Sequence, residues 1–171
     1  MKKIYYFNEK KDNKLLRQAL INTEQEILDF QFIRLEANEE LYNQLCQLVS
    51  EQYEVVKSLG ALSSHYGEVN PGAYRGEIYS LVIGWNYNQA GLLEIWAQFG
   101  SLLARAHCFT NGNKRTALLS MFAFLNACGF RLKDDNLPDK WEKILIDVVL
   151  AETEELAVEL MKERILANIY V

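Results

Sequence analysis

Histidine and proline are the scarcest informative residues of this chain, with 2 of each among 171. Two prolines and 9 glycines leave no room for a long linker or a low-complexity tract, so one domain is expected. The 3 cysteines, Cys46, Cys108 and Cys128, are odd in number and match no zinc spacing. Reduced thiols in the cytoplasm are the simplest reading of them. Basic residues are outnumbered 18 to 23, a net charge of -5, which argues against a general nucleic-acid binder. The Met1-Lys2-Lys3 start is basic, but no long apolar run follows. Neither a secretory signal nor a membrane span is therefore expected. Half of the residues are hydrophobic and 24% are charged, which is globular composition with enough apolar mass for a core.

What is present is helical periodicity. Leu15, Leu16, Ala19, Leu20, Ile27 and Leu28 predict a first helix within Asp12 to Phe30, capped by Asp12 or Asn13. Asn38 caps a second, whose stripe is Leu41, Leu45, Leu48, Val49, Val56 and Leu59, with Gly60 as its stop. Residues 63–73 hold His65, Gly67, Asn70, Pro71 and Gly72 and read as a loop. Residues 74–87 suit either a helix or a strand; helix is favoured because no partner strand is evident. Leu92 to Ala106 is a helix facing Leu92, Ile95, Trp96, Phe99, Leu102 and Leu103 inward. Thr116 to Cys128 is almost continuously apolar, which predicts a central helix ended by Gly129. Pro138 opens a helix carrying Trp141, Ile144, Leu145, Val148 and Val149, and Thr153 caps a last one. The fold class expected is an all-α, single-domain bundle of about six or seven helices. Residues 1–35 form a helical extension and residues 36–171 the main domain.

Between two apolar helices stands His107-Cys108-Phe109-Thr110-Asn111-Gly112-Asn113-Lys114-Arg115. Each member alone has an ordinary reading: a surface histidine, an Asn-Gly turn, a solvated Lys-Arg pair. Their order suggests more. If a helix starts near Gly112 or Asn113, its first N–H groups lack intrahelical partners and its dipole adds partial positive charge. Glycine allows the sharp turn and the close approach of a ligand, so the start suits a phosphate. Lys114 and Arg115 add charge, and Arg115 can grip phosphate oxygens through two N–H bonds. Asn113 can donate from its side chain to the same group. His107 can take a proton from an incoming hydroxyl. Phe109 is expected to point into the core and fix the turn. His65 reads as structural or exposed.

The nine residues resemble the signature of the Fic/Doc family, H-x-F-x-[D/E]-[G/A]-N-[G/K]-R, with His107, Phe109, Gly112, Asn113, Lys114 and Arg115 in place. Thr116 to Leu119 and Phe124 to Gly129 resemble the death-on-curing (Doc) branch. The likeness runs from about Asn70 to the C-terminus and is weaker over residues 36–66. It implies a helical bundle with the motif between two central helices, and transfer of part of a nucleotide to a protein hydroxyl. It implies ATP as donor and Mg2+ as companion. His107 becomes the base or hydroxyl-orienting residue. Gly112, Asn113, Lys114 and Arg115 become the phosphate-binding group, with Lys114 and Arg115 catalytic as well. Tyr74 and Arg75 fall on the substrate-facing segment. Asn111 stands at the metal-ligand position, where the family commonly has Asp or Glu; an amide oxygen can ligate a metal, but without charge attraction.

Lys114 points towards Doc-type toxins. These phosphorylate translation elongation factor Tu and are restrained by a Phd-type antitoxin. A cytoplasmic toxin of that kind, acting without direct nucleic-acid or membrane contact, is the first expectation. Fic-type AMP transfer is the second. A catalytically weak or silent binding module, suggested by Asn111, is the third.

Overall fold

The computed structural model describes residues 2–3, 20–21, 35–60, 65–132 and 137–170. Six helices follow one another: α1 Glu39–Leu59, α2 Ala73–Asn88, α3 Leu92–Arg105, α4 Asn113–Ala127, α5 Leu137–Leu150 and α6 Glu154–Asn168. The protein is an all-α bundle, as its periodicity predicts. Two short antiparallel pairs accompany the helices. β1 (Lys2–Lys3) pairs with β2 (Leu20–Ile21), and β3 (Arg131–Leu132) pairs with β4 (Ile169–Tyr170).

Each helix starts or stops for a local reason. Asn38 Oδ1 accepts from Leu41 N–H at 3.0 Å and Thr153 Oγ1 from Leu156 N–H at 3.1 Å, so α1 and α6 carry the expected side-chain caps. Acidic pairs Glu39–Glu40 and Glu154–Glu155 fill their first turns, where the helix dipole favours negative charge. Gly129, at φ +86, turns the chain out of α4 through the left-handed region, for which glycine is suited. The ambiguous segment 74–87 lies within α2, whose 16 residues exceed ordinary strand length. Residues 20–21, placed by periodicity inside a first helix, are extended and paired with residues 2–3. Pairing with a distant segment overrides local propensity there; the rest of that expected helix lies outside the described residues.

The centre is shared by α3 and α4. Ten of the 14 residues of α3 are buried, from Leu92 to Ala104, and α3 packs against α2, α4, α5 and α6. α4 buries Thr116, Ala117, Ser120, Met121, Phe124 and Leu125 against α3, α1 and α5. Edge-to-face aromatic pairs tie these helices and their ends together: Phe99–Phe124 at 5.4 Å, Trp96–Phe130 at 5.1 Å and Phe122–Trp141 at 5.6 Å. Gly100 allows α4 and α6 close to α3, since a Cβ there would lie 2.8 Å from Met121 Sδ and 3.4 Å from Met161 Cε. Arg105, at the end of α3, donates through Nη1 to the carbonyls of Val148 (2.8 Å) and Ala151 (2.9 Å). It thereby satisfies carbonyls at the end of α5. Leu59, expected in the α1 stripe, is 75% exposed, because that face ends beyond the last turn packed on α4.

Phe124 is fully buried and joins α4 to α3. Phe124→Ala is expected to lower the unfolding free energy by about 3–5 kcal/mol. Urea titration checks this, and a midpoint equal to that of the wild-type chain would remove α3–α4 packing as the centre of stability.

Candidate active site

The turn between α3 and α4 is irregular for a reason visible at each end. α3 closes at Arg105, and His107 follows at φ +47, an uncommon conformation for a residue with a side chain. Gly112 sits at φ +80 and starts α4 without a side-chain cap. Its lack of a Cβ is needed twice. The backbone angle favours glycine, and a Cβ would stand 2.7 Å from Val56 Cγ1 on α1. The first intrahelical bond of α4 is Thr116 N–H to Gly112 O at 2.9 Å. The N–H groups of Asn113, Lys114 and Arg115 precede it and have no carbonyl of their own helix to reach. Lys114 and Arg115 are exposed, and no acidic residue occupies the first turn. His107 is exposed on the same connection. The expected combination of helix start, two cations and imidazole is thus within one short turn.

Asn113 holds that turn. Its Oδ1 accepts from Phe109 N–H at 2.9 Å, and its Nδ2 donates to Phe109 O at 2.7 Å. The side chain that the sequence put towards a phosphate grips the backbone four residues earlier, using Oδ1 and one of the two Nδ2 hydrogens. Phe109 points inward as expected, 3% exposed, stacked on Tyr53 at 3.9 Å and on Tyr74 at 5.6 Å. Tyr74 was expected to face a substrate. It is 3% exposed and belongs to the core, because its ring is drawn in against Phe109. Its neighbour Arg75 is exposed at the start of α2, 5.6 Å from the Tyr74 ring centroid.

Residues 65–70 lie directly along the turn, which no local pattern in the sequence indicates. Val69 N–H donates to Cys108 O at 2.9 Å and Thr110 N–H to Gly67 O at 2.9 Å, with Glu68 opposite Phe109. Thr110 Oγ1 adds a bond to His65 O at 2.9 Å. Glu68 Oε2 accepts from Gly72 N–H at 2.5 Å and so holds the start of α2. Tyr53 and Glu68, which the sequence reading passed over, and Val56, which it read only as part of the α1 stripe, therefore support the site. Tyr53 and Val56 carry the same spacing signal as any core position.

Asn111 Oδ1 accepts from Gly112 N–H at 2.7 Å. Residues 107–115 contain no carboxylate, and no group of three or more His, Cys, Asp or Glu among the described residues could hold a metal. The donor set of the turn therefore does not fit a protein-held magnesium, which prefers carboxylate oxygens. A cavity of about 330 Å³ lies elsewhere, lined by Glu94, Glu154, Glu155 and Glu159 with Leu102 and Val158. Its carboxylates make it unsuited to a triphosphate. Among the described residues no helix is long and apolar enough to cross a membrane.

A family model described as Fic/DOC family matches residues 23–125. The match spans α1 to most of α4 and includes the whole turn. No curated protein matches the chain.

Two outcomes follow from this geometry. Asn113→Ala removes both bonds to Phe109 and leaves its buried backbone groups unpaired, so stability should fall by about 1–3 kcal/mol. A melting curve identical to wild type would show that the clamp carries no load. Burial, with smaller contributions from the Glu77 and Glu68 carboxylates, pushes the Cys108 thiol from 9.0 up to about 11. A raised folded value means that its contribution to stability is present below pH 9.0 and is lost as pH rises through about 11. Native Cys108 should resist iodoacetamide at pH 8 and react on unfolding, as mass spectrometry of the labelled peptide would show.

Proposed function

The chain belongs to the Fic/DOC family, and from that premise we propose that it transfers a phosphate-containing group of ATP to the hydroxyl of another protein. The observation that carries this is the uncapped start of α4, with exposed Lys114 and Arg115, next to exposed His107. Backbone N–H groups, helix dipole and two cations there suit the charge that develops on a phosphoryl group in transit. The acceptor oxygen attacks phosphorus, and a new P–O bond forms. The hydroxyl proton passes to the imidazole of His107 and from there to solvent. In phosphoryl transfer the bond between Pγ and the oxygen bridging it to Pβ breaks, and ADP leaves.

The finer reading is a Doc-like protein kinase, the toxin of a toxin–antitoxin pair in the cytoplasm. Elongation factor Tu is its proposed target and a Phd-type antitoxin its proposed restraint. Lys114 supports this over AMP transfer. A glycine at that position would leave the N–H groups of the first turn open, whereas the lysine adds bulk and charge, which favours a reversed nucleotide. In the AMP-transfer alternative the α-phosphorus is attacked and pyrophosphate leaves. Asn111 supports the third reading, a silent module, because its amide oxygen is neutral and already accepts from Gly112.

Incubation with lysate and separately γ- and α-labelled ATP, followed by mass spectrometry of the labelled band, tests all three. Label from the γ position alone supports the kinase; label from α supports AMP transfer; none from either supports the silent module. His107→Ala should cost about 10²–10⁴-fold in transfer, and growth arrest that survived this change would reject the catalytic account. Asn111→Asp restores the carboxylate that magnesium prefers. Calorimetry should show tighter ATP binding with magnesium and none of that gain without it. An equal affinity in both conditions would separate Asn111 from metal binding.

A further inference from the structure

We propose that Tyr53 is a positioning residue that keeps loop 65–70, which leads into the segment of exposed Arg75, in register with the phosphate turn 107–113, so that acceptor and donor sides of the site stay aligned. The proposal rests on the transferase reading above. The loop and the turn share one isolated bridge, Glu68 opposite Phe109, framed by two backbone bonds of 2.9 Å each. Glu68 and Val69 are exposed, and of the loop side chains only Tyr66 packs, partly buried, against the core, so little buried face fixes that pairing. A short pairing with little buried face has weakly specified register, and a slip of one residue reverses every side chain.

Tyr53 supplies what the pairing lacks. It sits on α1, 7% exposed, and its ring lies on the Phe109 ring at 3.9 Å with an interplanar angle of 20°. Its hydroxyl donates to Gly67 O at 3.2 Å, the carbonyl that also accepts from Thr110 N–H at 2.9 Å. One side chain thus touches the turn through its ring and the loop through its oxygen. Three residues further along the same helix face, Val56 closes on Gly112. A phenylalanine would serve packing alone; the hydroxyl acts on the loop. The two functions of the residue can therefore be separated by substitution.

Tyr53→Phe keeps the stack and removes the bond to Gly67. Hydrogen exchange at the Val69 and Thr110 amides should accelerate, and KM for the protein acceptor should rise about 3- to 10-fold. The Kd for ATP and the melting temperature should stay essentially unchanged. Tyr53→Leu removes the stack as well, and ATP binding should then weaken along with acceptor binding. Wild-type exchange and wild-type acceptor KM in Tyr53→Phe would overturn the proposal. So would a loss of ATP affinity as large in Tyr53→Phe as in Tyr53→Leu, which is the mark of general loosening. If the unaltered chain transfers no label yet exchange at the two amides rises in Tyr53→Phe, the transferase reading falls and the register role stands, because exchange needs no turnover.

Discussion

The site depends on how Phe109 is held. Its backbone N–H and C=O are both bound by the Asn113 side chain, and its ring is held between Tyr53 and Tyr74. α4 begins at Gly112 with no side-chain cap, so its first N–H groups stay open, as an anion site would require. The turn therefore cannot be stabilised in the way that Asn38 and Thr153 stabilise α1 and α6. Its stability has to come from contacts that point away from the open helix start. Asn113 bonds backwards, Phe109 packs downwards, and residues 67–69 bond from the side.

The same logic accounts for His107. Its left-handed backbone, at φ +47, costs about 1–2 kcal/mol for a residue with a Cβ. Such a conformation persists only where neighbours determine it. On one side the end of α3 is anchored by Arg105, whose guanidinium binds the carbonyls closing α5. On the other, Cys108 O accepts from Val69 N–H and Phe109 is clamped. The imidazole is thereby exposed at the mouth of the turn instead of following α3 into the core.

Most of the fold was legible because helices report themselves locally. The stripes of α1, α3 and α5, the Asn38 and Thr153 caps and the Gly129 stop are all written within a few residues of where they act. The candidate turn stands out in the sequence for the same reason, since all of its charged members fall within nine residues. What escaped the sequence is long-range. Tyr53 reaches Phe109 and Gly67 across the bundle, and residues 65–70 pair with 108–110 without any alternation to announce it. The β3–β4 pair joins segments 131–132 and 169–170, which share no local signal. The directions of the Tyr74 and Asn113 side chains, one into the core and one onto the Phe109 backbone, have no local signal either. A polar or aromatic side chain beside a turn can face ligand or backbone, and only the packing decides.

Charge distribution sets the turn apart within an acidic chain. The net charge of -5 repels a triphosphate at long range. Lys114 and Arg115, exposed and with no acid in the first turn of α4, place two positive charges there, while the nearby Glu68 carboxylate is bound to Gly72 N–H. The carboxylates of Glu94, Glu154, Glu155 and Glu159 are gathered instead around the cavity beside α6. Two of them, Glu94 and Glu159, pair with Lys162, which removes that cation from competition for phosphate. At an ionic strength near 0.15 M, charges more than about 8 Å away are largely screened. The local cations and the open N–H groups therefore outweigh the overall negative charge at contact distance. An anion would therefore meet favourable partners at the turn that Phe109 holds and repulsion at the acidic cavity.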